Sequence, residues 1–156
     1  ANCVVKQALW SNPFTKGPVQ SAGYILNAGS EQFIQDCVHK LQQDHAASLL
    51  IFPEGTRTAK GEQLNDFQRG AANIALRAGV PIRPVLISCT PSTLTKNEKW
   101  YHIPEQPFHI HVKVLDAIRV EDVLDDVTVN PKNVRQLNQQ LQWFFNQELS
   151  VNEQSC

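Results

Sequence analysis

An apolar run at 48–52, a polar loop over 53–66, an alanine-rich segment at 71–78 and a second apolar run at 82–88 follow one another, and this succession constrains the fold most. Short apolar runs suit strands buried on both faces. The 71–78 segment reads as a helix closed by Gly79, since glycine ends helices readily in the left-handed conformation. The same rhythm runs upstream. Residues 3–5 and 23–26 are short apolar runs, the second bounded by Asn27 and Gly29. Ser30 then stands as a cap before Phe33, Ile34, Cys37, Val38 and Leu41, which recur at helical spacing. Strand and helix in alternation predict an α/β domain, a mostly parallel sheet flanked by helices.

Downstream, Phe108, Ile110, Val112 and Val114 alternate with His109, His111 and Lys113, which predicts a half-exposed strand near a sheet edge. Asn130-Pro131 is a helix start, followed by one apolar face of Val134, Leu137, Leu141, Phe144 and Phe145. The acidic stretch 121–126 reads as a solvated turn. No internal repeat or second domain is evident, so the expected organisation is one domain over 1–150 with a short tail at 151–156.

Composition narrows the function classes. With 42% hydrophobic and 19% charged residues the chain has the balance of a globular protein, and a net charge of −1 gives no global pull toward nucleic acid. Cys3, Cys37, Cys89 and Cys156 are scattered without a Cys-x-x-Cys pair, so neither a zinc site nor a disulfide framework is indicated, which fits a reduced compartment. No apolar run reaches the roughly 18 residues needed to span a bilayer, and no secretory signal opens the chain.

The chemistry concentrates in Phe52-Pro53-Glu54-Gly55-Thr56-Arg57, just past the expected end of the 48–52 strand. A parallel sheet exposes its ligand crevice at that place. Gly55 permits a sharp turn or a close approach of backbone to ligand, and Arg57 can hold a phosphate through two parallel charge-assisted bonds.

These six residues resemble the third sequence block of the glycerolipid acyltransferases, the 1-acylglycerol-3-phosphate acyltransferase family. Val80-Pro81-Ile82-Arg83-Pro84-Val85 resembles the fourth block. Lys6, followed by Pro13 and then Gly17 or Gly23, resembles the segment that precedes and forms the second. The resemblance covers residues 4–88 in order. It implies a glycerol-3-phosphate acyltransferase-like fold and acyl transfer from a coenzyme A or acyl-carrier-protein thioester to the hydroxyl of a lysophospholipid-like acceptor. No bound cofactor or metal is implied; acyl-CoA or acyl-ACP is a co-substrate. The reaction belongs at the cytoplasmic side of a membrane, with peripheral attachment or an anchor in an N-terminal segment not included here.

In that family a His and an Asp four residues apart act as general base and orienting acid. The block is expected upstream of Ala1, and the absence of Met agrees with an N-terminally truncated domain. The resemblance assigns substrate binding to Lys6, Glu54, Gly55, Thr56 and Arg57. Arg57 and Lys6 would take the acceptor's phosphate, and Glu54 would order the loop or contact the head group. Read without the resemblance, Arg57 could instead form a surface pair with Glu54, and Lys6 could be an ordinary surface lysine. Many family members carry an acid and an Arg after the second-block strand, where this chain has Leu26-Asn27-Ala28-Gly29; the acceptor identity is therefore open.

Other patterns in the chain carry weaker signals. His39 and Asp44 show the His-x4-Asp spacing, but Val38 stands where the family has Asn, and the pair falls late on a helix, where a cation suits the dipole. His109 and His111 share one strand face without a third metal ligand at useful spacing. Residues 100–104 form an aromatic cluster suited to a membrane interface, an acyl groove or ordinary packing. Ser88, Cys89 and Ser92 lack a nucleophile elbow. A non-catalytic lipid or acyl-chain binding module is the alternative function; a hydrolase built on the Arg57 loop lacks a nucleophile or metal cluster.

Overall fold

Alternating side chains along β1 (Asn2–Lys6) serve two packing surfaces, and the sheet grows on both of its edges. The computed structural model describes residues 2–153 apart from Ala28, Ser30, His45, Lys60, Leu94, Asn97, Trp100, His102 and Ile103, with side chains described through Ser150. The expected cap at Ser30 and much of the aromatic cluster thus lie outside the described residues. β2 (Ile25–Asn27) and β3 (Leu49–Leu50) flank β1, both parallel to it. Their registers pair Val4 with Ile25, Lys6 with Asn27 and Cys3 with Leu50.

Helix α3 (Glu31–Gln43) covers one face of this sheet. Phe33, Ile34 and Cys37 form a core with Ile74 of α4 (Gly70–Ala78), backed by Val4, Ile25, Leu49 and Ile51. The Cys37 thiol is completely enclosed, and burial, helped by the charge of Asp36, pushes its pKa up to about 11. It stays a neutral, unreactive thiol at physiological pH. Two helices that periodicity did not reveal, α1 (Gln7–Ser11) and α2 (Pro13–Ser21), follow β1, and α1 touches β1 and β2.

A second core lies on the far side of α4. Ala72, Ala75 and Leu76 meet Val134, Leu137 and Leu141 of α5 (Pro131–Glu153), together with Phe67, Leu124 and Val120 of a 3-10 turn, Val120–Asp122. The start of α5 is as expected: Asn130 Oδ1 accepts from the Asn133 amide at 2.8 Å. α5 runs to Glu153, so the expected tail boundary at 150/151 falls inside a helix. Gly79 closes α4 in the left-handed conformation, and its amide bonds to the Ala75 carbonyl.

The parallel, helix-flanked sheet matches the predicted class, with three departures in its strands. The run 48–52 yields only Leu49–Leu50, because Pro53 offers no amide to continue a ladder and the chain turns at Gly55. The run 82–88 becomes β4 (Val85–Thr90), with Ile82 in a single bridge to Ile118. β4 pairs antiparallel with β5 (His109–Val114) in a separate two-stranded sheet. In this ribbon Leu86 is buried and sits opposite Lys113, which reaches Glu148 of α5 at 3.2 Å. Strand parity therefore puts Val85, Ile87, Ile110, Val112 and Val114 on the other face. The apolar side of β5, expected to be the buried one, is exposed, with Val112 at 60%.

Candidate functional site

Because β1, β2 and β3 are parallel, their C-terminal ends share one edge. Lys6 ends β1 and stands in register with Asn27, which ends β2, while β3 leads directly into Pro53 and the loop beyond. Lys6 is exposed there. Asn27 Oδ1 accepts from the Gly29 amide at 2.9 Å, and Gly29 has φ +67°, so the Asn27 side chain bonds to the backbone just beyond the strand end.

The loop after β3 is built around Gly55. Its φ of +66° is one that residues with a Cβ seldom adopt, and its amide donates to the Phe52 carbonyl at 3.0 Å. An added Cβ would meet Gln68 Cγ at 3.5 Å, an ordinary contact, so glycine is needed for conformation and not for space. Glu54 turns inward. Its Oε2 accepts from the Asn65 amide at 2.7 Å, from Asn65 Nδ2 at 2.8 Å and from Thr58 Oγ1 at 3.1 Å. The Gln68 amide donates to the Pro53 carbonyl at 2.8 Å, drawing the two ends of the loop together. The carboxylate is thus a staple across the loop.

Thr56 and Arg57 project at the exposed turn. Arg57 Nη1 donates to the Glu98 carbonyl at 3.3 Å, and the Lys96 amide donates to the Thr58 carbonyl at 3.0 Å, so the segment after β4 backs the loop. Glu98 Oε2 in turn accepts from the Thr95 amide at 2.7 Å. The structure therefore gathers Glu54, Gly55, Thr56 and Arg57 on one stapled turn and puts Lys6 on the same sheet edge. Sequence reasoning missed Asn65, which lies eleven residues from its partner in no recognisable motif.

The other candidates lie elsewhere. α3 begins beyond the C-terminal end of β2 and runs back, so that the chain leaving it at Ser48 bonds to the amide of Asn2, at the start of β1. His39 is exposed near the end of α3, and Asp44 Oδ1 accepts from the Ala46 amide at 2.9 Å. Both belong to the opposite edge of the sheet from Lys6 and Arg57. His39→Ala should accordingly leave kcat within about threefold of wild type with an unchanged melt, as surface substitutions usually do. Loss of a true general base lowers the rate by a factor of about 100 to 10,000, so a folded variant with that deficit would reassign the pair. His109 and His111 are exposed on β5, opposite Thr90 and Ser88. Tyr101, the described member of the aromatic cluster's centre, is exposed beneath Lys99 Nζ at 5.7 Å.

Comparison with known proteins bears on this edge. A family model described as Acyltransferase matches residues 3–88, which include Lys6 and the whole stapled loop. A putative 1-acyl-sn-glycerol-3-phosphate acyltransferase, acl-2, of Caenorhabditis elegans is 38% identical over 51% of this chain and 27% of its own length. The 1-acyl-sn-glycerol-3-phosphate acyltransferase alpha of Mus musculus is 36% identical over 54% of this chain and 29% of its own length. The matched stretch thus spans less than a third of these relatives. The crystal structure of the 1-acyl-sn-glycerophosphate (LPA) acyltransferase PlsC from Thermotoga maritima superposes with a TM-score of 0.67 at 20% identity, over 96% of this chain and 57% of that one. That likeness shows the fold.

Proposed function

Since the chain belongs to the acyltransferase family, we propose that the protein transfers an acyl group from a coenzyme A or acyl-carrier-protein thioester to the hydroxyl of a lysophospholipid-like acceptor. The observation that carries this reading is the stapled turn: Glu54 is occupied within the loop, while Thr56 and Arg57 are presented at the C-terminal edge of a parallel sheet. The names of the matched relatives supply the substrate class.

In the proposed reaction the acceptor's hydroxyl oxygen attacks the thioester carbonyl, the carbon–sulfur bond breaks, and the hydroxyl proton passes to a general base. The described residues act on the acceptor. Arg57 takes the phosphate in a bidentate grip, and Lys6, a compact point charge on the neighbouring strand end, neutralises the remaining negative charge. A turn already closed by its own hydrogen bonds loses little freedom when the anion arrives, and this orients the acceptor's hydroxyl. In the resembled family that base is a His oriented by an Asp four residues further on. An amphiphilic acceptor resides in a bilayer, so the reaction takes place at a membrane surface, and we assign it to the cytoplasmic face.

The test is an assay of the product of the complete reading frame with acyl-CoA, acyl-ACP and a panel of acceptors. Thiol release should keep pace with acylation of a phosphate-bearing lysolipid. Tight lysolipid binding without turnover, using either donor, would instead make the protein a non-catalytic binding module.

A further inference from the structure

The backbone of Phe67 is held on both sides by side chains of α5. Gln142 Oε1 accepts from the Phe67 amide at 3.1 Å, and Asn138 Nδ2 donates to the Phe67 carbonyl at 3.1 Å. Gln142 Nε2 also donates to Asp66 Oδ1 at 3.2 Å. These bonds cross 71 to 76 residues of sequence. Asn138 is one of the few buried polar side chains among the described residues, so loss of its bond to Phe67 would leave a buried amide unsatisfied. The Phe67 ring is buried too, edge-on to Phe145 with ring centroids 5.2 Å apart.

Phe67 adjoins the foot of the stapled loop. Asn65, two residues before it, carries the Glu54 carboxylate, and Gln68, one residue after it, ties back to Pro53. Among the described residues of 53–68 there is no helix or strand, so the loop has no ladder of its own to fix its position against the sheet. Its turn is closed internally by Glu54 and Asn65, and its foot is bolted to α5 by Asn138 and Gln142. We propose that Asn138 and Gln142 are positioning residues: they set where the Arg57 turn stands relative to Lys6 and the sheet edge, and thereby the affinity for the acceptor's phosphate. This deepens the proposed function and rests on it, because both side chains act through the loop they hold.

The Gln142 and Asp66 pair allows a donor–acceptor exchange. Gln142→Glu keeps an acceptor for the Phe67 amide but sets a carboxylate against Asp66. Adding Asp66→Asn restores a donor at position 66 facing the carboxylate at position 142. In the product of the complete reading frame, Gln142→Glu should raise KM for a phosphate-bearing lysolipid at least about fivefold, with kcat and the acyl-donor KM within about twofold. The double variant should return KM to within about twofold of wild type. Amide deuterium exchange over residues 53–68 should accelerate in the single variant and recover in the double.

A purely structural role would lower the melting temperature and the active fraction while leaving acceptor KM unchanged, and that result overturns the proposal. Unchanged exchange over 53–68 in Gln142→Glu would overturn it as well, whatever the kinetics. Failure of the underlying reading looks different: Arg57→Ala would leave acceptor KM unaltered while exchange in the Gln142 variants still followed the swap.

Discussion

Arg57→Ala in the complete protein should lower kcat/KM for a phosphate-bearing acceptor by roughly 10- to 150-fold, chiefly through a higher acceptor KM. A charge-assisted hydrogen bond contributes about 1.5–3 kcal/mol, and each 1.4 kcal/mol or so corresponds to tenfold. The loop need not collapse with the substitution. Its internal closure uses Glu54, Asn65, Thr58, Gln68 and Pro53, and the Arg57 carbonyl that Asn65 Nδ2 approaches at 3.4 Å is backbone, which the substitution keeps. What leaves is the guanidinium, including its bond to the Glu98 carbonyl. A steady-state titration of both substrates makes the check. The donor KM should hold, Arg57→Lys should recover part of the charge but not the planar grip, and an acceptor without phosphate should lose little. Identical kinetics for wild type and Arg57→Ala on a phosphate-bearing acceptor would leave Arg57 as a surface residue.

Leu137→Ala should destabilise the domain by about 2–5 kcal/mol, a large part of the roughly 5–15 kcal/mol available to a domain of this kind. Leu137 has 0% exposure and stands among Val134, Leu141, Ala75 and Leu76 where α4 meets α5. Truncating it removes a buried isopropyl group and leaves a cavity that two packed helices can only partly close. At roughly 2–4 °C per kcal/mol for a chain of this size, the melting temperature should fall by on the order of 10 °C. Leu137→Met, which nearly conserves volume, should cost less than about 1.5 kcal/mol. Equal melts for Leu137→Ala and wild type would show that this core contributes little.

The elements that could be read from the sequence were those whose signals are local. Gly79 ends α4 because a left-handed residue is needed there, and Asn130-Pro131 starts α5 because a capping amide and a preset φ come together. The same logic was available at Asn12-Pro13, where Asn12 Oδ1 accepts from the Phe14 amide at 2.9 Å and α2 begins. Gly17 and Pro18 inside that segment weaken its helical pattern, and the helix is held by its cap and by Val19, which is buried. The exposed face of β5 was not legible, because alternation says which residues share a side but not which side meets the body. A single buried residue on the partner strand, Leu86, decided it. At the candidate site the Gly55 turn was readable, whereas Asn65, Asn138 and Gln142 were not. Amide side chains that bond to distant backbone leave no period or spacing in a sequence.

α4 divides its four buried residues between two cores: Ile74 belongs to the one under the parallel sheet, and Ala72, Ala75 and Leu76 to the one beneath α5. It is a party wall, and neither room stands without it. A helix this short has little stability of its own in water and borrows it from both neighbours. Fraying it exposes apolar surface on two sides at once, which couples the sheet half to the α5 half in one cooperative unit and joins the strand end bearing Lys6 to the helix that bolts down the Arg57 loop.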